Sequence, residues 1–232
     1  MSGERTLPTG PCRMRVCYRK DGRLAYLGHL EVMNTIMRCV RRSGLPFEVG
    51  NGFARRMRIS FSQALPVGAS SRGEYYDLML PAPMDEEEFL ASLVAATPHA
   101  LVPVAAQLLP RKVPALEAWV DLSRWDVLVR QEGVSGERLD EAIAALAKCG
   151  YIDFMRGEKK RHLELAHTLV DWKTCDGEDG VRLQLRTRAT SDGSLRPAVL
   201  VDQAVGCAPL RVCRVGQWHE DAHGNLISPM DV

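Results

Sequence analysis

The residues of this chain best suited to chemistry are arginines, and they gather near its start. Between Cys12 and Ser62 stand eleven Lys and Arg against three acids, a local excess of about eight positive charges in a chain whose formal net charge is +1. Guanidinium groups offer fixed pairs of donors that match phosphate oxygens, and hydroxyls add shorter-range donors. Arg13, Arg15 and Arg19 alternate with Met14, Val16 and Tyr18, which places them on the open face of a strand. Arg58, Ser60 and Ser62 alternate in the same way with Ile59 and Phe61. If the two runs share a sheet face, they would hold successive phosphates of a nucleic acid, with Arg55 and Arg56 extending the path and Arg23 and His29 completing the candidate set. Such contacts give affinity without sequence choice. Two other readings stay open: a face that is merely solvated or packed against the rest of the chain, and a face that meets an acidic protein.

His29 stands at the start of a helix beside Tyr26. An imidazole titrates near neutrality, so it would serve to move a proton in RNA cleavage, or equally to cap and pack a helix entrance. His162 and His167 are five apart and do not form the i, i+4 pair of a zinc helix. His219 and His223 lie near Gly224 in an exposed tail. No P-loop, dinucleotide fingerprint or Ser/His/Asp signature is present, so neither cofactor nor metal is expected. Seven cysteines, odd in number, scattered and never spaced C-x-x-C, point to reduced thiols rather than a disulfide framework.

These residues need elements to position them. A chain of 232 residues, 46% hydrophobic, is long enough for one large core or two smaller ones. The first dozen residues hold no apolar run of the kind a signal peptide needs, and nothing later would span a bilayer, so a cytoplasmic protein with no membrane partner is expected. Residues 12–19 read as a strand. Leu30, Met33, Ile36, Met37 and Val40 recur at helical spacing up to Gly44 and Pro46. Residues 58–62 and 74–80 read as a hairpin, Asp85 caps a second helix, and 101–109 is a strand. After a linker around RKVPAL the order repeats: strand 125–131, helix Ser135 to Gly150, strands at about 160–170 and 181–188, a turn at SDGSL, a helix opened by Pro197, and a last strand at 210–218. Two successive βαββαβ units predict an α+β protein with two tandem ferredoxin-like domains, 12–112 and 116–220, each with an antiparallel sheet. The ten residues after Gly44 fit no regular element.

One segment carries a family resemblance. Tyr26-Leu27-x-His29-Leu30, Arg41-Arg42-x-Gly44-Leu45-Pro46, Gly52-Phe53, Ile59-Ser60-Phe61, Leu65-Pro66-Val67-Gly68 and Gly73-Glu74-Tyr75 resemble the N-terminal core of the radical SAM-linked proteins, a domain-of-unknown-function family found beside or fused to radical SAM proteins. After Gly52-Phe53 that family usually continues with Asn-Pro and a His/Pro-containing run, where this chain has Ala54-Arg55-Arg56-Met57. The resemblance implies a radical SAM protein as partner and RNA, either tRNA or rRNA, as the shared substrate. It assigns no catalytic residue. The C-x-x-x-C-x-x-C run that holds an iron–sulfur cluster is absent, so this chain is not expected to be the radical SAM enzyme itself. The leading expectation is a non-catalytic RNA-binding accessory protein. The alternatives are a metal-independent endoribonuclease using His29, which the fold order also resembles, and a protein-only scaffold.

Overall fold

The period-two run at the start forms the strand it predicts, β1 (Cys12–Lys20), and buries Met14, Val16 and Tyr18 against two helices. In this computed structural model, residues 10–110, 112–191 and 193–232 are described. Residues 1–9, on which much of the expected lack of a signal segment rests, together with Arg111 of the linker and Asp192 of the SDGSL turn, lie outside them. Lys20 turns into a short 3-10 turn, Gly22–Tyr26, whose entrance is capped by Asp21. The helical spacing then becomes α1 (His29–Arg42), with Val32, Ile36 and Val40 inward. The carboxylate of Glu31 accepts from the Gly28 amide at 2.7 Å, and this satisfies one of the donors left free at the helix start. After an irregular stretch, as expected, come β2 (Ile59–Phe61) and β3 (Ser70–Leu80), which pair antiparallel. The Asp85 carboxylate caps α2 (Glu86–Ala95) by accepting from the Glu87 and Glu88 amides, and β4 (Pro103–Leu109) closes the first half.

The linker forms a single turn, α3 (Leu116–Trp119), before β5 (Leu122–Val129). Ser135 caps α4 (Gly136–Cys149), and Gly150 ends it at a φ of 88°, a left-handed conformation that glycine adopts without strain. Three strands follow where one was read: β6 (Tyr151–Arg156), β7 (Lys159–Glu164) and, after the single turn α5 (Leu165–Thr168), β8 (Leu169–Gly177). The chain finishes with β9 (Gly180–Thr190), β10 (Gly193–Ser194), α6 (Pro197–Val205), β11 (Arg211–Glu220) and β12 (Leu226–Ile227).

Ten strands make one sheet, in the order β10-β9-β5-β11-β3-β1-β4, with β8 on β9, β2 on β3 and β12 on β11. Every pairing is antiparallel except β11 with β3, where Cys213 and Arg214 lie beside Ser70 and Ser71. That parallel contact joins the two halves, so the sheet is mixed and continuous rather than two separate antiparallel sheets. β6 and β7 form a separate two-stranded hairpin. Two large cores result, one around Val16, Leu78 and Phe89, the other around Val127, Ile143 and Leu183. Leu65 and Ala69, from the loop between β2 and β3, belong to the second core although they arise in the first half.

Candidate functional site

The registers of β1, β2 and β3 put Arg13, Arg15 and Ser60 on one face, because Arg15 and Ser60 both lie opposite Asp77. The shared face expected from the sequence therefore exists, but it is not open. Arg15 is 1% exposed; its Nε donates to Asp77 Oδ1 at 2.7 Å, its Nη2 to Asp77 Oδ2 at 2.9 Å and its Nη1 to the Pro229 carbonyl at 2.9 Å. Arg13 reaches the same carboxylate at 3.5 Å and the Pro114 carbonyl at 3.4 Å. The linker helix α3 and the C-terminal segment cover this face through Leu116, Trp119, Val120 and Met230, packed on Cys17 and Tyr75. Arg15 thus has no guanidinium edge left for a phosphate, and Ser62 is buried, its hydroxyl accepting from the Tyr75 amide and from the Gln217 side-chain amide. Arg19, Arg23, Arg55, Arg56, Arg58 and Ser60 are exposed.

These exposed groups fall at two ends of the sheet. Arg58 sits beside Met79, opposite Arg13 at the start of β1, whereas Arg19, Arg23 and His29 lie about its other end. Arg19 lies six residue steps along the strand from Arg13, roughly 20 Å at ~3.3 Å per residue. At the first end Phe53 is fully exposed beside Arg55 and Arg56. At the second, Tyr26 is 72% exposed. These two rings, rather than the buried Tyr75 and Tyr76 of the hairpin, are the aromatic groups free to stack.

Where the halves meet, the chain buries a polar cluster that the sequence reading missed. Arg214 of β11 is 3% exposed, and its Nη1 donates to Glu74 Oε1 at 3.1 Å and Oε2 at 3.2 Å and to the Gln63 carbonyl at 3.1 Å. Its Nη2 donates to the Ala64 carbonyl at 3.2 Å, and its guanidinium lies 4.7 Å from the centre of the Trp125 ring. Burial pushes the Glu74 carboxyl up from its ordinary value, against the pull of Arg214. Lys20 donates to the Ala25 and Leu27 carbonyls at 2.9 and 2.8 Å, which ties the Tyr26 turn to the end of β1. Burial pushes this lysine down. The signal was available: Glu74 and Asp77 interrupt the β-type run EYYDLML, and acids in a buried strand require cationic partners.

The cluster fixes the start of the loop Leu65-Pro66-Val67-Gly68, and that loop lines a groove of about 670 Å³. Tyr26 and His29, Arg196 with the start of α6, the Leu210–Val212 segment and Arg156 line it as well. Among the described residues no carboxylate lines it, while Arg156, Arg196 and Arg211 do. Tyr26, Val67 and Leu210 expose 72%, 65% and 58% of their surface along the rim. His29 sits edge-on to Phe61 at 6.0 Å, and burial pushes its imidazole below the usual value. An adjoining cavity of about 430 Å³ continues past Ala64 and Leu65 to Arg214, again with Arg156 and Arg196 in its wall, and with Glu117 as its acid. Such a surface offers stacking area and guanidinium donors.

The remaining histidines do not assemble. His162 lies on β7 and His167 on α5, while His219 stacks on Trp119 at 4.8 Å. Among the described residues no three potential ligands gather to hold a metal ion. No helix among them is long and apolar enough to cross a membrane.

These features define a mixed α+β protein with one large, mostly antiparallel sheet, six helices among the described residues, and a cationic groove with an apolar rim. The chain belongs to the family described as an uncharacterized protein conserved in bacteria (DUF2344), whose match spans residues 13–197. No curated protein matches it. A crystal structure of an unknown protein from Galdieria sulphuraria is similar at 12% identity, covering 77% of this chain and 80% of that one, with a TM-score of 0.26, a likeness too slight to bear on fold or function.

Proposed function

We propose that this protein is a non-catalytic RNA-binding accessory that works in the cytoplasm with a separate radical SAM enzyme in tRNA or rRNA modification. The observation that carries RNA binding is the groove: an exposed tyrosine and three arginines line one trough in which no acid stands among the described residues. Unpaired bases stack on aromatic side chains while Arg neutralises the backbone, and the pairing of the two is typical of single-strand binding. Arg19 and Arg23 lie at the same end as Tyr26 and extend the basic surface, and the Phe53–Arg58 loop forms a second contact at the far end. The radical SAM partner rests on the resemblance carried by residues 26–75, since the family's description names no partner.

We also propose that the halves 12–112 and 116–220 are ferredoxin-like units. The strand orders β4-β1-β3-β2 and β11-β5-β9-β8 correspond position by position, with the β6–β7 hairpin inserted in the second. A split βαβ order of this kind supports RNA binding in many proteins but does not dictate it.

The test is retention of bulk tRNA and rRNA fragments by the purified protein at about 50 and 200 mM salt. Micromolar or tighter binding that weakens with salt and is reduced in Tyr26→Ala is expected. Absence of binding at the lower salt would overturn the reading. The exposed Leu30, Val67 and Leu210 would then mark a surface for the partner protein.

A further inference from the structure

The β6–β7 hairpin has no counterpart in the first half and no partner in the large sheet. Its tip is strongly basic, with Arg156, Lys159, Lys160 and Arg161 around the Gly157-Glu158 turn. The strand alternation sorts these charges. Asp153, Lys160 and His162 share the outer face, where Lys160 Nζ meets Asp153 Oδ2 at 2.8 Å and His162 Nδ1 meets Asp153 Oδ1 at 2.8 Å. The inner face carries Ile152 and Leu163, both buried, then Phe154 opposite Arg161, and finally Arg156. Arg156 and Arg161, both exposed, therefore share the face of the apolar anchor and line one cavity with the start of α6. Arg196 waits there as the cap residue of α6, with no side-chain capping bond and with Pro197 at the first turn, so the positive end of this nine-residue helix opens at the same place.

Arg156, Arg161 and Arg196 line a cavity of about 390 Å³, together with Phe154, Leu163 and Ser194 and with Lys160 and His162 at the hairpin's edge. Among the described residues none of the three arginines makes an ion pair or a side-chain hydrogen bond, although neighbouring Lys160 and His162 are both paired. Burial and the adjacent Arg156 push Arg196 down from its usual value, which is what cations gathered without a counter-ion do. The half-buried and buried arginines described in the large sheet are matched to acids: Arg13 and Arg15 with Asp77, Arg186 with Asp171, Arg188 with Glu220 and Arg214 with Glu74. Arg196, half-buried at the start of α6 and faced by the exposed Arg156 and Arg161, departs from that pattern, and an anion supplied from outside would complete it.

We propose that the cleft between the β6–β7 hairpin and the start of α6 is a phosphate-binding site held by Arg156, Arg161 and Arg196. The ligand is a phosphate group with at least two free oxygens, matched by guanidinium pairs. It rests on the RNA-binding reading only for the source of that phosphate, which is then a backbone or terminal phosphate of a strand running out of the Tyr26 groove past Arg156.

The test uses the full chain and two 3′-fluorescein decauridylates, one with a 5′-hydroxyl and one with a 5′-phosphate, read by anisotropy at about 50 and 200 mM salt. Arg156→Gln, Arg161→Gln and Arg196→Gln are compared with Arg130→Gln, which removes the same charge from an exposed pair with Asp179. If a backbone phosphate is bound, both oligomers bind alike. Each cleft variant then loses about tenfold in affinity and flattens the log K against log salt slope by about 0.7. If a terminal phosphate is bound, the 5′-phosphorylated oligomer binds about tenfold tighter, and the variants lose that increment. Thermal melts with inorganic pyrophosphate separate this site from the RNA reading. A rise in Tm for the protein but not for Arg156→Gln, without RNA binding, upholds the site while the RNA reading falls. Oligomer affinity equal in the cleft variants and in Arg130→Gln, or no response to oligomer or pyrophosphate, overturns the proposal.

Discussion

Replacing Arg214 by Met is the sharpest perturbation of the junction between the halves. The guanidinium is 3% exposed and donates to Glu74 and to the Gln63 and Ala64 carbonyls while stacking on Trp125. Removing it leaves the Glu74 carboxylate, 3% exposed, without its cation, and breaking one partner of a buried pair costs about 3–5 kcal/mol. For a chain of this size each kcal/mol moves Tm by about 2–4 °C, so a fall of roughly 6–20 °C is expected. The double variant Arg214→Met with Glu74→Gln removes both charges and should recover about 1–3 kcal/mol of the loss, because an uncharged pair in the same space is nearly neutral. The assay is urea unfolding followed by circular dichroism, with m compared among variants to show that the folded state retains its extent. A loss below about 1 kcal/mol in the single variant, or strictly additive losses in the double, would refute the argument that the ion pair is buried and coupled.

Three further outcomes follow from named contacts. Gly180 sits at φ +127°, and a Cβ there would come 2.5 Å from the Val129 carbonyl oxygen, so Gly180→Ala should destabilise by more than about 1 kcal/mol, read by the same unfolding curve. Burial lowers the His29 pKa below its unfolded value, so the folded state binds the proton less well than the unfolded one. Its contribution is present above the unfolded pKa of about 6.5 and is lost as pH falls through the lower folded value, and His29→Asn should flatten stability against pH in that window. Native thiol labelling should modify exposed Cys149 and Cys175 at once, while Cys12, Cys17 and Cys39 react only on unfolding; burial pushes Cys17 up to about 11, so rapid native labelling of Cys17 at pH 8 would contradict its placement.

The elements most legible in the sequence were those whose period and boundary residues agreed. Asp85, Ser135 and Pro197 open helices, and Gly150 and Gly206 close them in left-handed conformations, as their chemistry requires. The second half was misread where charge masked period. KKRHLE reads as part of one strand with a basic hairpin surface, but its partner was not read: YIDFMR, before the two-residue Gly157-Glu158 turn, pairs with it, and Gly157 at φ +63° is the residue that makes so tight a turn inexpensive. The single strand expected at 160–170 therefore resolved into β7, a helical turn and the start of β8. The start of β3 was hidden in the same way: SSRG reads as turn, but Ser70 and Ser71 find a parallel partner in β11, a contact about 140 residues away in sequence that no local pattern encodes.

The arginines show why a basic strand face is weak evidence of a nucleic-acid surface. Alternation identified the face that carries Arg13 and Arg15, but alternation is blind to what covers that face, and here α3 and the C-terminal residues do so. The decisive residue was Asp77 on the neighbouring strand. An acid opposite Arg15 in an apolar run turns a donor for phosphate into half of an internal pair. The same criterion applied around the molecule reverses the ranking of its cations. Arg15 and Arg214, which look most purposeful in their strands, are satisfied internally, whereas Arg156, Arg161 and Arg196 line one cleft with no acid among the described residues of its wall. Counting positive charge along the chain favours the first 62 residues. Among the described residues, Arg19, Arg23, Arg55, Arg56 and Arg58 of that stretch are unmatched too but lie apart at two ends of the sheet, whereas the hairpin and the start of α6 gather three unmatched guanidiniums about one cleft, and such a gathering is what attracts a ligand.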